Sequence, residues 1–141
     1  MNRLRKKPRQ SLSKKVEWAE ANDIDRRVDF LIKSARIDWI DGSHVMCFRS
    51  INTNTRAVAR IYGLSKIWQI ALDLKPYYII EVISEKFDKL NQKEKDRTLL
   101  HELAHIPKNF SGALLPHRRQ GHGNFYNRLR DLILVHENKG R

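Results

Sequence analysis

The chain has 141 residues and is strongly basic, with 28 lysines and arginines against 16 aspartates and glutamates. This length fits one domain that buries its own core, so a metal is not needed to hold the fold together. No apolar run approaches the ~20 residues of a membrane-spanning helix, and the basic N-terminus lacks the apolar core of a secretion signal. The single cysteine, Cys47, cannot form an internal disulfide. We therefore expect a cytoplasmic, intracellular protein without a membrane partner.

Basic residues are concentrated at the N-terminus, where no acidic residue occurs among the first fifteen. A segment of this kind can neutralise phosphates and bind nucleic acid without sequence preference, and it can equally be a solvated tail. We divide the chain into a flexible basic arm, residues 1–15, and a folded domain, residues 16–141. If the arm contacts nucleic acid, the candidate residues are Arg3, Arg5, Lys6, Lys7 and Arg9.

The first part of the domain has the apolar spacing of helices. Segment 12–19 suggests a short helical stretch, and the apolar residues over 24–39 predict a longer N-terminal helix that Asn22 or Asp23 is placed to cap. Cys47 lies in an apolar run further on, so we interpret it as a small buried hydrophobic residue.

The middle third of the chain is rich in β-branched and aromatic residues. These predict strands over 45–51, 57–62 and 77–83, of which the last has the strongest pattern. The apolar residues of segment 66–72 fit both the alternation of a strand and the spacing of a helix. We favour a strand there.

A helix is predicted from about residue 92 to residue 105 or 106. Asn91 and Glu94 form a capping-box pattern at its start. Pro107 limits the helix, because it lacks a backbone N–H and disfavours helical geometry in the residue before it. The residues expected on the buried face are Leu99, Leu100, Leu103 and Ile106. A last helix follows from about Phe125.

The most informative stretch is His101-Glu102-Leu103-Ala104-His105. Two histidines four residues apart on a helix share one face and can bind the same metal ion. The glutamate between them can accept a proton from a metal-activated water. Ordinary surface histidines on an amphipathic helix are the alternative interpretation. The capped helix, the preceding strands and two further histidines downstream favour the metal site.

A catalytic zinc ion needs three protein ligands and one open position for water. His122 is the preferred third ligand, because it lies at the start of the last helix between two glycines. His117 is the alternative third ligand or a substrate contact. Glu137 lies too far along the last helix to be favoured. His44 and His136 have no partners at ligand spacing, and we expect them to be structural.

The motif also predicts a mechanism, in which Glu102 takes the proton of the water and delivers it to the leaving amine. The oxyanion of the transition state needs a further donor. The candidates for this role are His117, Arg118 and Tyr126. The strand over 77–83 is a candidate sheet edge that could pair with an extended peptide substrate.

The stretch from about residue 59 to residue 125 resembles the putative phage metallopeptidase family. The segments that carry the resemblance are 67–72, 78–88 and above all 101–112, with Pro116-His117 and His122-Gly123 further on. The run that continues the motif through Ser111-Gly112 is more specific than the five-residue motif alone. This resemblance implies a small zincin-like fold and a zinc peptidase.

The arrangement is also similar to SprT-like proteases, in which a His-Gly pair and then an aromatic residue follow H-E-x-x-H. In those enzymes the histidine binds zinc, which supports His122 here. They act on DNA-bound proteins, a role that the basic arm would suit. This chain lacks the cysteine-rich zinc ribbon of a closer relative, since Cys47 is its single cysteine.

The sequence thus predicts an α+β, zincin-like domain with an N-terminal helix, a mostly antiparallel sheet of three to four strands, an active-site helix and a C-terminal helix. The expected function is a zinc-dependent metallopeptidase that binds one Zn²⁺ ion through His101, His105 and His122, with a protein or peptide substrate. One alternative is a nucleic-acid-binding protein with a structural or inactive zinc site. Another is a zinc hydrolase of a non-peptide amide.

Overall fold

The computed structural model describes residues 14–118 and 124–138. The arm residues Arg3, Arg5, Lys6, Lys7 and Arg9 lie outside these ranges, and so does His122. Within the two described stretches, no helix has the length and apolar character needed to cross a membrane.

Over the described residues, the domain consists of one sheet and five α-helices. In chain order the elements are β1 (Glu17–Glu20), α1 (Asn22–Ser34), β2 (Val45–Ile51), β3 (Ala59–Gly63), α2 (Lys66–Leu72), β4 (Tyr78–Ile83), α3 (Ser84–Phe87), α4 (Gln92–Leu103) and α5 (Phe125–Asn138). The predicted α+β class is confirmed.

The four strands form a mixed sheet in the order β1-β2-β4-β3. β1 and β2 pair antiparallel, β2 and β4 pair parallel, and β3 and β4 pair antiparallel. β4 is therefore an interior strand, and the prediction that 77–83 forms a sheet edge is wrong. Among the described strands, β3 pairs only with β4 and lies at the edge.

One core joins the sheet to the helices. Alternate residues of β4 point to the same face, as the two-residue period of a strand requires. They pack into one buried cluster with residues of α1 and α4; its most buried members include Val28, Leu31, Tyr78, Ile80, Val82, Leu99, Leu100 and Leu103. The predicted buried face of α4 is thus confirmed, and so is the burial of Cys47.

The segment before α1 is a strand and not the helical stretch predicted over 12–19. The four residues of β1 are all exposed, so no apolar periodicity marks the strand, and its pairing with β2 holds it in place. The next element, α1, begins at Asn22 with Ala21 in the N-cap position and no side-chain cap. It ends at Ser34, earlier than predicted, because Arg36 adopts a left-handed backbone with φ of 54°.

Segment 66–72, predicted as a strand, is the helix α2. Ile67, Trp68 and Ile70 are 69%, 57% and 67% exposed, whereas the polar residue Gln69 is the one buried residue of the helix. Because no apolar face of α2 packs against the core, the spacing of its apolar residues could not distinguish a helix from a strand.

Local signals set both ends of α4. The Asn91 side chain accepts a hydrogen bond from the backbone N–H of Glu94, and its own amide donates to the Glu94 carboxylate. The N-cap role of Asn91 is thereby confirmed, but Glu94 bonds to the Asn91 side-chain amide and not to the backbone N–H that a full capping box uses. At the other end, the backbone N–H groups of His105 and Ile106 bond three residues back, and Pro107 follows. His105 lies just beyond the last helical residue.

Polar contacts fix α4 against α1 and α5. The buried Asp96 carboxylate accepts two hydrogen bonds from Arg27 at 2.8 and 2.7 Å and a third from His136 Nε2 at 3.2 Å. Ser34 lies 2.6 Å from the other ring nitrogen of His136. The prediction that His136 is structural is confirmed.

An ion pair between Arg60 of β3 and the buried Glu81 of β4 is expected to make the stability of the domain dependent on pH. Burial alone would raise the pKa of Glu81, but hydrogen bonds from Arg60 and Tyr62 contribute to lowering it from 4.5 to about 2. A lowered pKa stabilises the fold above pH 4.5, and this contribution is lost as pH falls toward 2. We expect Glu81→Gln to lower the free energy of unfolding by up to roughly 3 kcal/mol at pH 7.

Chemical denaturation of wild type and Glu81→Gln between pH 7 and pH 2.5 measures this effect. The difference between the two proteins should shrink below pH 4.5. A difference that stays constant with pH would show that the ionised Glu81 side chain is not its source.

Candidate metal centre

The two motif histidines project from the end of α4 toward a common point. Their ring centroids are 5.3 Å apart. His117, on the loop that follows α4, lies beside both of them, and its Nε2 atom is 2.9 Å from His101 Nε2. The predicted pair is therefore joined by His117, the residue predicted as the alternative third ligand.

One potential ligand atom from each of these histidines lies within 4.8 Å of the others. Imidazole nitrogens are typical ligands of zinc, and three protein ligands leave a fourth position open for water or substrate. His101, His105 and His117 could therefore hold one metal ion. The predicted ligand His122 lies outside the described residues, so its role as third ligand stays a prediction.

The loop fixes the orientation of the His105 ring. His105 Nδ1 donates a hydrogen bond to the backbone carbonyl of Leu115 at 2.6 Å, and the Leu115 N–H donates to the carbonyl of His105 at 2.8 Å. A carbonyl can only accept, so Nδ1 carries the proton and Nε2 is the nitrogen left for a metal. Such a second contact orients a ligand histidine and makes it more basic.

Burial keeps the motif histidines neutral. It lowers the pKa of His101 to about 4, with smaller contributions from His105 and His117. It also lowers the pKa of His105. A metal binds the unprotonated imidazole, so this environment makes both ligand nitrogens available at neutral pH.

Glu102 is a buried carboxyl group beside the three histidines. The residue is 7% exposed and lines the same cleft as the three histidines. Burial raises the pKa of Glu102 to about 7. A carboxyl group with a pKa near neutrality can both accept and return a proton at physiological pH.

Phe125, the first residue of α5, packs against all three histidines. Its ring centroid is 4.4 Å from His105, 4.8 Å from His117 and 5.0 Å from His101. The side chain is fully buried. Phe125 was predicted only as the start of the last helix, yet it forms an apolar wall of the cluster. Its position three residues after His122 was the one feature of the sequence that could have placed it near the site.

The histidines line a cleft of about 400 Å³ between the sheet and the loop. Residues of β3 form one side, and Leu114 to His117 form the other. The full set of lining residues is Ala59, Arg60, Ile61, His101, Glu102, His105, Leu114, Leu115, Pro116 and His117. The edge strand of the sheet thus lies directly beside the candidate metal ligands.

The remaining candidates lie at different distances from the cluster. The Tyr126 ring is 38% exposed, and its centroid is 6.2 Å from that of His117. The carbonyl of Arg118 accepts a hydrogen bond from the backbone N–H of Phe125, which ties the loop to α5. The Glu137 carboxylate pairs with Arg97, away from the cluster.

His44 was expected to be structural, and the structure confirms it. Its Nδ1 donates to the carbonyl of Pro76 at 3.0 Å, and its ring stacks on Tyr77 with a centroid distance of 4.4 Å. It belongs to no metal cluster among the described residues.

Comparison with known families places the chain in one of them. Residues 16–134 match the model of the family described as putative phage metallopeptidase. No curated protein and no solved structure matches significantly, so the predicted similarity to SprT-like proteases is not shown. The match spans all four strands and both helices around the histidine cluster, apart from the last turn of α5. The chain therefore belongs to the putative phage metallopeptidase family.

Proposed function

We propose that the protein is a zinc-dependent peptidase in which His101, His105 and His117 bind one zinc ion. The observation that carries this proposal is the convergence of three imidazoles beside the buried carboxyl of Glu102 in one cleft. When bound at such a site, zinc acidifies a water molecule and polarises the carbonyl group of the substrate.

The residues fit this metal. Three imidazole nitrogens form a donor set that suits zinc, and carboxylate-preferring ions such as Mg²⁺ and Ca²⁺ would find no carboxylate in the described cluster. The depressed pKa values of His101 and His105 remove competition by protons at neutral pH. The hydrogen bond from His105 to Leu115 gives the ring its fixed orientation.

The role proposed for Glu102 is proton transfer. Its carboxylate accepts the proton of the attacking water and returns it to the amine of the leaving peptide. Because the residue is almost fully buried, its carboxyl group is held in an apolar setting that raises the pKa to about 7. Tyr126, exposed beside His117, is the donor we favour for the oxyanion.

The substrate is proposed to be an extended segment of a protein or peptide. Edge strand β3 lines the cleft, and its residues Ala59 to Ile61 lie across from the loop that carries His117. An extended peptide can add to a free sheet edge through main-chain hydrogen bonds. This places the scissile bond near the histidines without requiring a particular side chain.

Metal removal tests the proposed activity. Protein dialysed against a chelator should lose hydrolysis of an unfolded protein substrate such as casein, and one equivalent of zinc should restore it. Cleavage by the metal-free protein would contradict the proposal. If the metal-loaded protein cleaves no polypeptide, hydrolysis of a non-peptide amide becomes the better interpretation.

Neither the family match nor the described residues support the predicted contact with nucleic acid. It stays a prediction for the arm, residues 1–15.

A further inference from the structure

The loop that carries His117 is attached to the sheet and to α2 at Ser111, Gly112 and Ala113. The proposed catalytic mechanism makes no use of this attachment. We propose that Tyr78 and Gln69 are positioning residues, whose hydrogen bonds to the loop hold the metal ligands in place before the ion binds. The inference rests on the proposed metal site.

The hydroxyl group of Tyr78 makes two hydrogen bonds to the loop. The hydroxyl accepts a hydrogen bond from the Gly112 N–H at 2.8 Å and donates one to the carbonyl of Ala113 at 2.8 Å. The residue begins the interior strand β4 and is completely buried. Its ring is therefore held by the core, and the loop is bonded to a rigid point.

Gln69 supplies the second attachment. Its side-chain amide donates to the carbonyl of Ser111 at 2.8 Å and to the carbonyl of Leu64 at 2.7 Å. The apolar residues of α2 remain exposed, and Gln69 is the residue that this helix buries. The buried contact of α2 is thus a polar one, made to the loop and to the end of β3.

Two glycines allow the backbones to come this close. A Cβ atom on Gly112 would lie 2.2 Å from the carbonyl oxygen of Leu64, and one on Gly63 would lie 2.1 Å from the carbonyl oxygen of Gly112. Gly112 also has a φ of +94°, which side-chain-bearing residues rarely adopt. The Ser111-Gly112 pair therefore meets a steric requirement of this attachment.

Ala113, the last residue of the attachment, lies two residues before Leu115 and four before His117. Leu115 exchanges two hydrogen bonds with His105, and His117 lies beside His101. Without the bonds to Tyr78 and Gln69, binding a metal would have to order the loop and so lose conformational entropy. The attachment removes that cost and so increases the affinity for metal.

Zinc affinity measured against a chromophoric chelator tests the proposal. Tyr78→Phe keeps the buried ring and removes both hydrogen bonds, and Gln69→Met keeps the length of the side chain on an exposed helix. Loss of a supporting contact typically weakens metal binding ~10–100-fold. We expect an effect in this range for Tyr78→Phe and a smaller one in the same direction for Gln69→Met.

Tyr62→Phe is the matched control. Its hydroxyl donates at 2.6 Å to the buried Glu81, which by the alternation of β4 points to the face of the sheet opposite Tyr78, so its removal also costs a hydrogen bond to a buried group. Thermal unfolding of the metal-free proteins reports the loss of stability. We expect Tyr62→Phe to unfold at a lower temperature and yet bind zinc like the wild type.

Three results would overturn the proposal. Wild-type affinity in Tyr78→Phe and Gln69→Met would show that the attachment does not position the ligands. A loss of affinity in Tyr62→Phe that matches its loss of stability would show a general effect of destabilisation. If the wild-type protein itself binds no zinc, the proposed metal site fails, and the positioning role fails with it.

Discussion

Glu102→Gln is expected to reduce peptide hydrolysis by roughly 10²–10⁴-fold, the usual contribution of a general acid–base group. The amide has the shape of the carboxylate but cannot accept the proton of the attacking water. Glu102 is not a member of the histidine cluster, so zinc content should be unchanged. The measurement is kcat/KM on a fluorogenic peptide, with zinc determined on the same samples.

Glu94→Gln on the same helix is the control for this prediction. Glu94 is exposed at the first turn of α4 and bonds to the side-chain amide of Asn91. This variant should keep full activity. If Glu102→Gln also keeps it, the role of Glu102 as general base is excluded. Loss of zinc from Glu102→Gln would instead place the carboxylate among the ligands.

His117→Ala should have the largest effect on metal binding among residues outside the H-E-x-x-H motif. Its Nε2 lies 2.9 Å from that of His101, in the centre of the candidate site. Removal of a direct ligand should weaken zinc binding by more than the ~10–100-fold typical of a lost supporting contact. Competition titration against chelators of graded affinity measures this loss.

Two further histidine variants are compared with His117→Ala. His136→Ala removes a buried histidine that bonds to Asp96 and Ser34, so it should lower stability without loss of zinc affinity. His122→Ala should bind zinc nearly as well as the wild type. Strong zinc binding by His117→Ala together with loss of binding in His122→Ala would return the role of third ligand to His122.

The sequence predicted the features that depend on local patterns. The Asn91 cap and the buried face of α4 involve residues within one or two helical turns, whereas the helix ends at Leu103, two or three residues before the predicted end. The stability of these features depends on residues that are close together in the sequence. The start of α4 and the placement of the two motif histidines could therefore be predicted.

Features that depend on distant contacts could not be predicted in the same way. Strand β1 has no buried face and exists through its pairing with β2. Helix α2 exposes its apolar residues and is attached through Gln69 to a loop more than forty residues later. The interior position of β4 depends on parallel pairing with β2, a non-local choice that no short pattern records.

The candidate site also combines residues placed by local contacts with a residue placed by distant ones. His101 and Glu102 lie on α4 and His105 lies in the turn that follows it, so the local spacing was sufficient to predict that they lie together. His117 reaches them through a loop that Tyr78 holds from another part of the chain. Spacing alone could not choose between His117 and His122, because that choice depends on the path of the loop.

The most direct test of the metal site is a crystal structure of the zinc-loaded protein with anomalous scattering recorded at the zinc absorption edge. We expect one anomalous peak per chain, about 2.0–2.1 Å from Nε2 of His101, His105 and His117. The peak should lie in the cleft beside β3, with the Glu102 carboxyl group outside the coordination sphere. A peak elsewhere, or one bound by the motif histidines without His117, would contradict the account.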